Sequence, residues 1–382
     1  MNVGINGRHL GPNKTGVGRY LINLLQQWQH EPRGHLFFVY TSSEQLEPED
    51  EALFVSGSPI IHRRIPRPFG SKSFHLWYNW SLPRAMINDH IDWFFSPDYF
   101  CPPFLPSRLR RSMSIHDISL ITHSEWFPKL YRWSAEIYSR RAATKADIVF
   151  TISNFSANEL KKYYYLLEKK IVITPLAASS NFRPDNHQTN LPSVPRLDSN
   201  YFLFVGKIMN RRHVREMLLA FSEYLSGHPE VKTQFVVCGQ DETRPPQNIY
   251  ILIDEINRSA GRLAVLRVEH TSDQLLIQLY QQARAFFYLS SYEGFGLPVL
   301  EALACGTPTV TVRSTSIPEV AGRAAIYVNP QDITEIAKIM YQLFADQDWW
   351  EQKKQATTIQ AKRFSWSQTA KDTLTAIEGY VE

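Results

Sequence analysis

The chain has 382 residues, of which 43% are hydrophobic, and a formal net charge of +4. This length predicts two domains, each able to bury a sizeable core. The sequence has no run of about 18 apolar residues, which excludes a spanning helix of that kind, and no basic stripe or binding motif that indicates nucleic acid as a partner.

Cysteine usage and charge distribution indicate the compartment and the surroundings. Cys101, Cys238 and Cys305 are scattered and match no metal spacing, so we expect reduced core residues in a cytoplasmic protein. Residues 1–6 lack the order of a signal peptide and predict a strand. Residues 1–190 carry 22 Lys and Arg against 16 Asp and Glu. This basic half either faces anionic lipid or an acceptor phosphate, or is an ordinary solvated surface.

Short apolar strands alternate with helical segments along the chain. The predicted strands are 2–6, 36–41, 60–65, 93–96, 112–116, 148–152 and 171–174, then 201–206, 234–238, 264–268, 285–289, 309–312 and 325–328, with helices that include 17–30, 130–145 and 214–225. This alternation predicts an α/β protein with two doubly wound, mostly parallel sheets and one interdomain cleft.

The domain boundaries follow from a break in this pattern. Residues 181–199 hold three prolines and no periodicity, which predicts a linker between an N-terminal domain at 1–180 and a C-terminal domain at 200–365. The last stretch, at about 366–382, begins with a serine cap and predicts a helix that packs back on the first domain.

A glycine-rich loop, GPNKTGVGRY, follows the first strand at residues 11–20 and opens an amphipathic helix. Such a turn lets a pyrophosphate approach the backbone at a helix N-terminus. The spacing is neither GxGxxG nor that of a P-loop. The loop is therefore either a phosphate site, through Gly16 and Gly18, or only structural.

Two further motifs close strands of the first domain. In SIHDIS, His116 either hydrogen-bonds a sugar hydroxyl, transfers a proton or is a satisfied core residue. In TISNFS, Ser153 or Ser156 is expected to cap a helix, and a contact with an acceptor remains open.

Cationic residues follow the first strand of the second domain. Lys207 comes directly after it, and Arg211, Arg212 and His213 follow within six residues. Cations at the carboxyl end of a strand clamp a leaving diphosphate, and we select Lys207 and Arg212 for this role. The alternative is a solvated basic turn.

The segment EGFGLPVLE, residues 293–301, connects the predicted strand RAFFYLS to a helix that begins at Pro298. Backbone N–H groups at such a junction favour anions and hydroxyl-rich ligands. Glu293 stands on the loop and Glu301 lies about one turn into the helix, so both carboxylates can face one cleft. A ligand that carries phosphate and many hydroxyls fits this pattern, and a nucleotide-sugar is such a ligand.

No metal site is predicted. The only Asp-x-Asp triplet, at residues 346–348, lies in a late helical region away from every strand end. No other cluster of His, Cys, Asp and Glu has ligand spacing.

With these motifs in order, the chain resembles glycosyltransferase family 4, a retaining family with the GT-B fold. The resemblance rests on Glu293-x7-Glu301 within YEGFGLPVLEALACGTPTV, and on TGVGRY, SIHDIS, TISNFS, VGKIMNRR and SIPEVAG. It implies two Rossmann-like domains, an acceptor-side domain at 1–180 and a nucleotide-sugar donor domain at 200–365.

The resemblance also implies a role for each candidate residue. Glu293 and the backbone around Phe295 and Gly296 would hold the donor sugar, and Glu301 the nucleotide ribose. The substrate-binding loop comprises Gly294, Phe295, Gly296 and Leu297. Lys207 and Arg212 would stabilise the leaving diphosphate, Gly16 would let it come close, and His116 would lie near the far edge of the sugar. Neither a metal, another cofactor nor a protein nucleophile is implied.

The implied function is a retaining, metal-independent hexosyltransferase with GDP-mannose as the first choice of donor and UDP- or ADP-sugars as alternatives. The acceptor would be a glycan or lipid-linked saccharide at the cytoplasmic face of the membrane. Peripheral contact with anionic lipid is suggested by Arg63, Arg64, Arg67, Lys72, Trp77, Tyr78 and Trp80. A nucleotide-sugar epimerase or a phosphorylase on the same fold, or a non-catalytic sugar-nucleotide or glycan-binding subunit, remain alternatives.

Three positions depart from the family pattern. Arg211-Arg212-His213 stands where relatives carry Arg-Lys and then Asn or Gly, and position 207 is Lys where close relatives often have Arg or a small residue. His270 stands where a glycine is frequent, near the expected base pocket. These changes leave the predicted reaction class unaltered, but they bear on the identity of the donor.

Overall fold

The structure, a computed structural model, describes residues 1–11, 16–42, 46–68, 74–102, 104–127, 129–185, 194–269 and 271–381, without the side chains of residues 49, 74, 129–134 and 381. It divides into two units, formed by Met1–Leu176 with Ser365–Glu382 and by Ala177–Phe364.

Strands and helices alternate through both units. The strands are β1 (Asn2–Asn6), β2 (Leu36–Thr41), β3 (Ile60–Arg64), β4 (Trp93–Ser96), β5 (Arg110–Ser114), β6 (Ile148–Thr151), β7 (Ile171–Ile173), β8 (Tyr201–Val205), β9 (Gln234–Cys238), β10 (Val265–Val268), β11 (Ala285–Tyr288), β12 (Thr309–Thr311) and β13 (Ile326–Tyr327). The α-helices are α1 (Gly16–His30), α2 (Pro48–Glu51), α3 (Phe74–Leu76), α4 (Leu82–Asn88), α5 (Ser119–Thr122), α6 (Lys129–Lys145), α7 (Asn154–Tyr164), α8 (Val214–Gly227), α9 (Ile249–Ser259), α10 (Asp273–Gln282), α11 (Leu297–Ala304), α12 (Ile317–Ala321), α13 (Ile333–Ala345), α14 (Gln347–Ala361) and α15 (Trp366–Val381). A π-helical turn, Trp77–Ser81, joins α3 to α4, and short 3₁₀ turns lie at Ala52–Phe54, Ser124–Trp126, Glu168–Lys170 and Asn210–Arg212.

Each unit is built on one sheet whose paired strands are all parallel. In the described part of the chain the first sheet has the order β3-β2-β1-β4-β5-β6-β7 and the second β10-β9-β8-β11-β12-β13. Every residue of β4, β6, β9, β11 and β12 is buried, as expected of parallel strands covered on both faces. These sheets confirm the predicted α/β class and the two doubly wound sheets.

The order in which successive strands are added to each sheet reverses at one place. In the first unit this switch point lies between β1 and β4, and in the second between β8 and β11. Ligands of open α/β sheets bind outside the carboxyl ends of the strands at such points. The residues that directly follow these four strands are therefore the first candidates for a site.

The unit boundary falls before the segment predicted as a linker. The first unit ends at Leu176, and the described residues of this segment, 181–185 and 194–199, belong to the second unit. The described ends of this segment bond there: Gln234 Nε2 donates to the Arg196 carbonyl (3.0 Å) and Gln281 Nε2 to the Arg183 carbonyl (2.7 Å).

The last helix returns to the first unit. Trp28 Nε1 on α1 donates to the Ala370 carbonyl of α15 (3.1 Å). His35 Nε2 lies 2.7 Å from Glu378 Oε1 on the same helix. Ser365 Oγ accepts the Gln368 N–H (3.1 Å) and thus caps this helix.

Candidate functional site

Glu293 lies on the loop after β11, and one of its two carboxylate oxygens is bound by neighbouring side chains. Oε1 accepts hydrogen bonds from Tyr288 Oη (2.6 Å), Ser290 Oγ (2.9 Å) and Arg212 Nε (3.3 Å). Oε2 accepts no hydrogen bond from the described residues, and the side chain is 14% exposed. The carboxylate is therefore held through one oxygen and offers the other to a ligand.

The backbone of Glu293 is held by the loop after β12. Its N–H donates to Thr315 Oγ1 (3.1 Å), and its carbonyl accepts from Ser316 Oγ (2.8 Å). Thr315 has a φ of +52°, which is unfavourable for a β-branched residue. This loop, which leads into the SIPEVAG motif, thus positions Glu293 at its main chain.

Arg212 lies beside Glu293 and is itself held at the end of β8. Its Nη1 donates to the Lys207 carbonyl (2.9 Å), and its guanidinium packs over the Tyr288 ring at 5.3 Å. Burial disfavours the charged guanidinium. The neighbouring Tyr288 and the hydrogen-bonded carboxylate of Glu293 favour it, and together they hold the pKa of Arg212 above its ordinary value. Gly206 has a φ of +130°, and a Cβ there would lie 2.6 Å from Arg212 Nη1, so a side chain at this position would strain the backbone and displace the guanidinium.

Lys207 contributes its carbonyl, not its amino group, to the contact with Arg212. Its Nζ lies 2.7 Å from Glu242 Oε1, and the side chain is 65% exposed. The structure therefore brings Arg212 to Glu293 and places the amino group of Lys207 on a different carboxylate. The contact of Lys207 with a diphosphate stays a prediction.

The N-terminus of α11 presents unused donors. Gly296 caps the helix with a φ of +95°. The backbone N–H groups of Phe295, Gly296 and Leu297 donate to no group in the described ranges, and Pro298 has no N–H. Together with the preceding Gly294, these residues form a helix N-terminus that can bind an anion or a hydroxyl group.

Glu301 lies within α11 and is 8% exposed. Its Oε2 accepts a hydrogen bond from Tyr280 Oη on α10 at 3.3 Å. Glu301 and Glu293 are thus each bonded to a buried tyrosine of the same unit.

His116 follows β5 in the first unit. A carbonyl only accepts, so the 3.0 Å contact between His116 Nε2 and the Pro97 carbonyl places the proton on Nε2 and leaves Nδ1 as an acceptor. Burial lowers the pKa of His116, so the ring is neutral near pH 7. It is therefore suited to accept a hydroxyl hydrogen bond. Ser156 Oγ donates to its carbonyl (3.0 Å), and Ser153 caps α7 as predicted.

A charged cluster that the sequence did not predict lies at the β1/β4 switch point. Asp98 is 2% exposed, and its Oδ2 lies 2.5 Å from both Arg8 Nη2 and His9 Nε2. Burial alone would raise the pKa of Asp98, but the hydrogen bond from His9 and the charge of Arg8 hold it below its usual range. The available signal was the position of these residues, each within three residues of the end of β1 or β4.

The glycine loop is described only at its C-terminal end. Gly16 opens α1, and a Cβ there would meet nothing within 4 Å. Gly18 is buried in the same helix. Residues 12–15 of this loop, His270 and Lys72 lie outside the described residues.

Part of the predicted membrane-facing set is wrong. Trp77 and Tyr78 are buried, at 0% and 1% exposure, because they lie on the inner side of the helical segment 74–88. Trp80 is 74% exposed. On the same segment Leu76, Arg84 and Ile87 are also exposed. We call these four residues the exposed stripe.

Other features of the described ranges concern metals, membranes and thiols. No group of three His, Cys, Asp or Glu side chains in these ranges is placed to hold a metal ion. Likewise, none of the helices described is both long enough and apolar enough to span a bilayer. Asp346 caps α14 by accepting the Trp349 N–H. The three cysteines are buried free thiols.

Comparisons with known proteins identify the family. Residues 14–178 match Glycosyltransferase Family 4, and residues 188–364 match Glycosyl transferases group 1. The O-antigen chain mannosyltransferase B of Escherichia coli is 30% identical, over 95% of this chain and 95% of that protein.

Solved structures of similar fold cover the whole chain. Sucrose-phosphate synthase from Thermosynechococcus elongatus matches with a TM-score of 0.72 at 17% identity, over 99% of this chain and 98% of that chain. Anabaena HepE in complex with UDP and glucose matches with a TM-score of 0.70 at 14% identity, over 99% and 100%. The two sheets, the matched families and the full-length relative together show that the chain is a glycosyltransferase with the GT-B fold and belongs to glycosyltransferase family 4.

Proposed function

We propose that the protein transfers mannose from GDP-mannose to a hydroxyl of a glycan or lipid-linked saccharide, with retention of the anomeric configuration and without a metal. The observation that carries the site assignment is the one-sided anchoring of Glu293, whose Oε2 is available beside Arg212 and the N–H groups of α11. Mannose is supported by the Escherichia coli relative, an O-antigen chain mannosyltransferase.

In this proposal the second unit binds the donor. Glu293 Oε2 accepts a hydroxyl of the sugar, and Glu301 holds the ribose. Arg212 and the unused N–H groups at the start of α11 stabilise the negative charge that develops on the leaving diphosphate. This charge stabilisation by side chains and backbone supports a reaction that needs no metal ion.

The chemical step is a front-face displacement. The bond from the anomeric carbon to the diphosphate oxygen breaks, and a bond to the acceptor oxygen forms on the same face. The acceptor proton passes to the departing phosphate oxygen, so no protein nucleophile takes part. Glu293 then acts by position and charge, and neutral His116 accepts a sugar hydroxyl through Nδ1.

In this proposal the first unit binds the acceptor. The same unit makes a peripheral contact with the inner face of the membrane. The exposed stripe supports the contact, because Trp80 and Arg84 are both exposed on the same helical segment. An aromatic ring and a cation together suit the interface of an anionic bilayer.

The test is a thermal-shift panel of UDP, GDP, ADP and CDP with their common sugars, each with and without EDTA. A ligand that binds only the folded protein raises the melting temperature by mass action. We expect GDP and GDP-mannose to raise it most, with no effect of EDTA. Transfer from GDP-mannose to a lipid-linked saccharide, followed by NMR, should then give the α-linkage that retention requires.

Each other outcome points to a different function. A larger shift with UDP- or ADP-sugars would overturn the donor, and loss of the shift in EDTA would overturn the metal-free step. Conversion of the donor without acceptor would indicate an epimerase, and a requirement for inorganic phosphate a phosphorylase. Binding without turnover of any acceptor would indicate a binding subunit.

A further inference from the structure

Two tyrosines of the second unit donate to the two carboxylates without being able to touch a ligand. Tyr288, the last residue of β11, donates to Glu293 Oε1 at 2.6 Å, and Tyr280 on α10 donates to Glu301 Oε2 at 3.3 Å. Both tyrosines have 0% exposure. Any influence that they have on a ligand therefore acts through the carboxylates.

Packing holds the Tyr288 ring in one place. Its ring stacks on Phe204 and Phe286, with centroids 6.1 and 5.8 Å apart, and Arg212 covers it at 5.3 Å. Because the ring is fully buried among these neighbours, its hydroxyl group is held beside Glu293 Oε1.

Tyr280 is held in a similar way. Its ring packs edge-on against Phe286 at 5.2 Å and against Phe182 at 6.0 Å. Its own carbonyl accepts a hydrogen bond from Thr307 Oγ1 at 2.6 Å. Both the ring and the main chain of Tyr280 are therefore held in place, and its hydroxyl group donates to Glu301.

Both phenols stay protonated. Burial and the neighbouring carboxylate raise the pKa of Tyr288 well above its ordinary value, and burial together with Glu301 does the same for the pKa of Tyr280. Each tyrosine therefore keeps, at neutral pH, the O–H proton that it donates to its carboxylate.

We propose that Tyr288 and Tyr280 are positioning residues with separable effects: Tyr288 orients Glu293 towards the transferred sugar, and Tyr280 orients Glu301 towards the nucleotide. The assignment rests on the proposed function for which part of the donor each carboxylate meets. A carboxylate that accepts a hydrogen bond from a fixed donor needs less ordering when the ligand binds, which favours both binding and the oriented transition state.

The experiment compares three Tyr→Phe variants, each of which removes one O–H from a fully buried ring. Tyr288→Phe and Tyr280→Phe remove the donors in question. Tyr201→Phe is the matched control, since its hydroxyl group donates to the Leu279 carbonyl (2.8 Å) at 0% exposure. For each variant we would measure the melting temperature, the Kd for GDP, and kcat and KM with GDP-mannose.

The two variants should split the kinetic constants in opposite ways. Tyr288→Phe should lower kcat about 10-fold to 100-fold with the Kd for GDP unchanged, because a hydrogen bond to a charged group is lost in the transition state. Tyr280→Phe should raise the Kd for GDP and the KM about 10-fold with kcat nearly unchanged. Tyr201→Phe should change the melting temperature alone.

The outcomes separate this inference from the function on which it rests. If the wild type is active and both variants match Tyr201→Phe in kcat and Kd, the positioning role is wrong and the function stands. A uniform loss in both variants also overturns it. If the wild type neither binds GDP nor transfers mannose, both proposals fail. Should Tyr288→Phe not fold, Ser290→Ala removes another donor to Glu293 Oε1 and must lower kcat in the same way.

Discussion

At the scale of single residues, the important property of Glu293 is the difference between its two oxygens. Oε1 already accepts three hydrogen bonds, from a phenol, a hydroxyl and a guanidinium. Any group placed at this position must therefore be an acceptor. The atom at the Oε2 position is the one that a ligand contacts.

This asymmetry predicts a strong effect for Glu293→Gln. The amide oxygen must take the Oε1 position, so the amide N–H₂ takes the place of Oε2 and presents a donor where a ligand hydroxyl needs an acceptor. We expect kcat to fall on the order of 10²-fold or more while the protein stays folded. Steady-state kinetics measure the loss, with Glu168→Gln as the control, since Glu168 is 85% exposed and pairs with Lys161 in the first unit. Activity within about twofold of the wild type would contradict the assignment.

Gly296→Ala tests the cap of α11. The backbone has a φ of +95°, and a Cβ would lie 2.9 Å from Ile317 Cδ1. We expect a loss of about 1–3 kcal/mol in the free energy of unfolding, together with weaker binding of the donor. Denaturant titration measures the first and calorimetry the second. Adding Ile317→Val, which removes Cδ1, should recover only part of the loss, because the strain in φ remains. Complete recovery would show that the steric contact alone matters.

The sequence offers Glu293, Arg212 and Gly296 as candidates for one site but does not predict their contacts. The segment at residues 293–301 indicates Glu293 and Gly296, and the cationic turn after β8 indicates Arg212. Glycines and charged groups at strand-to-helix junctions are typical of anion sites. The sequence does not indicate Tyr288, because the direction of a side chain at a strand end depends on register. Nor does it place Lys207 Nζ on Glu242, 35 residues away, since only the pairing of β8 with β9 brings them together.

At the scale of elements, hydrophobic patterning predicts the strands with small errors at their ends. Each predicted strand is present, and the ends differ by at most two residues. The largest difference is in β5, which begins at Arg110 because that backbone pairs with Trp93 of β4. Polar side chains at the start of a strand hide it from hydrophobicity, whereas the ladder depends on the backbone alone.

Asp98 joins the ends of β1 and β4, and its charge predicts a dependence of stability on pH. The folded protein holds the pKa of Asp98 below its unfolded value of about 3.9. The resulting stabilisation is fully present above that value and is lost as the pH falls through the folded pKa. Asp98→Asn should therefore lower the free energy of unfolding by about 1.5–3 kcal/mol at pH 7 and reduce its decrease below pH 5. Urea titrations at several pH values measure both, and an unchanged pH dependence would contradict the prediction.

At the scale of the whole molecule, the exposed stripe predicts how the protein meets a membrane. We expect vesicles that contain anionic lipid to retain the protein in a flotation assay, and Leu76→Ala with Trp80→Ala to abolish most of this retention. The control is Ile359→Ala, which removes a 71% exposed apolar side chain from α14. If neutral and anionic vesicles fail alike to retain the wild type, the peripheral contact is wrong.

The position of α15 has a consequence for the order of synthesis. The helix that receives the Trp28 hydrogen bond is synthesised only after the whole of the second unit. The first unit, although translated first, remains incomplete until then, with the indole of α1 uncovered. A nascent chain therefore needs protection of its N-terminal part until α15 has been made, and removal of α15 should destabilise the first unit, at the opposite end of the sequence.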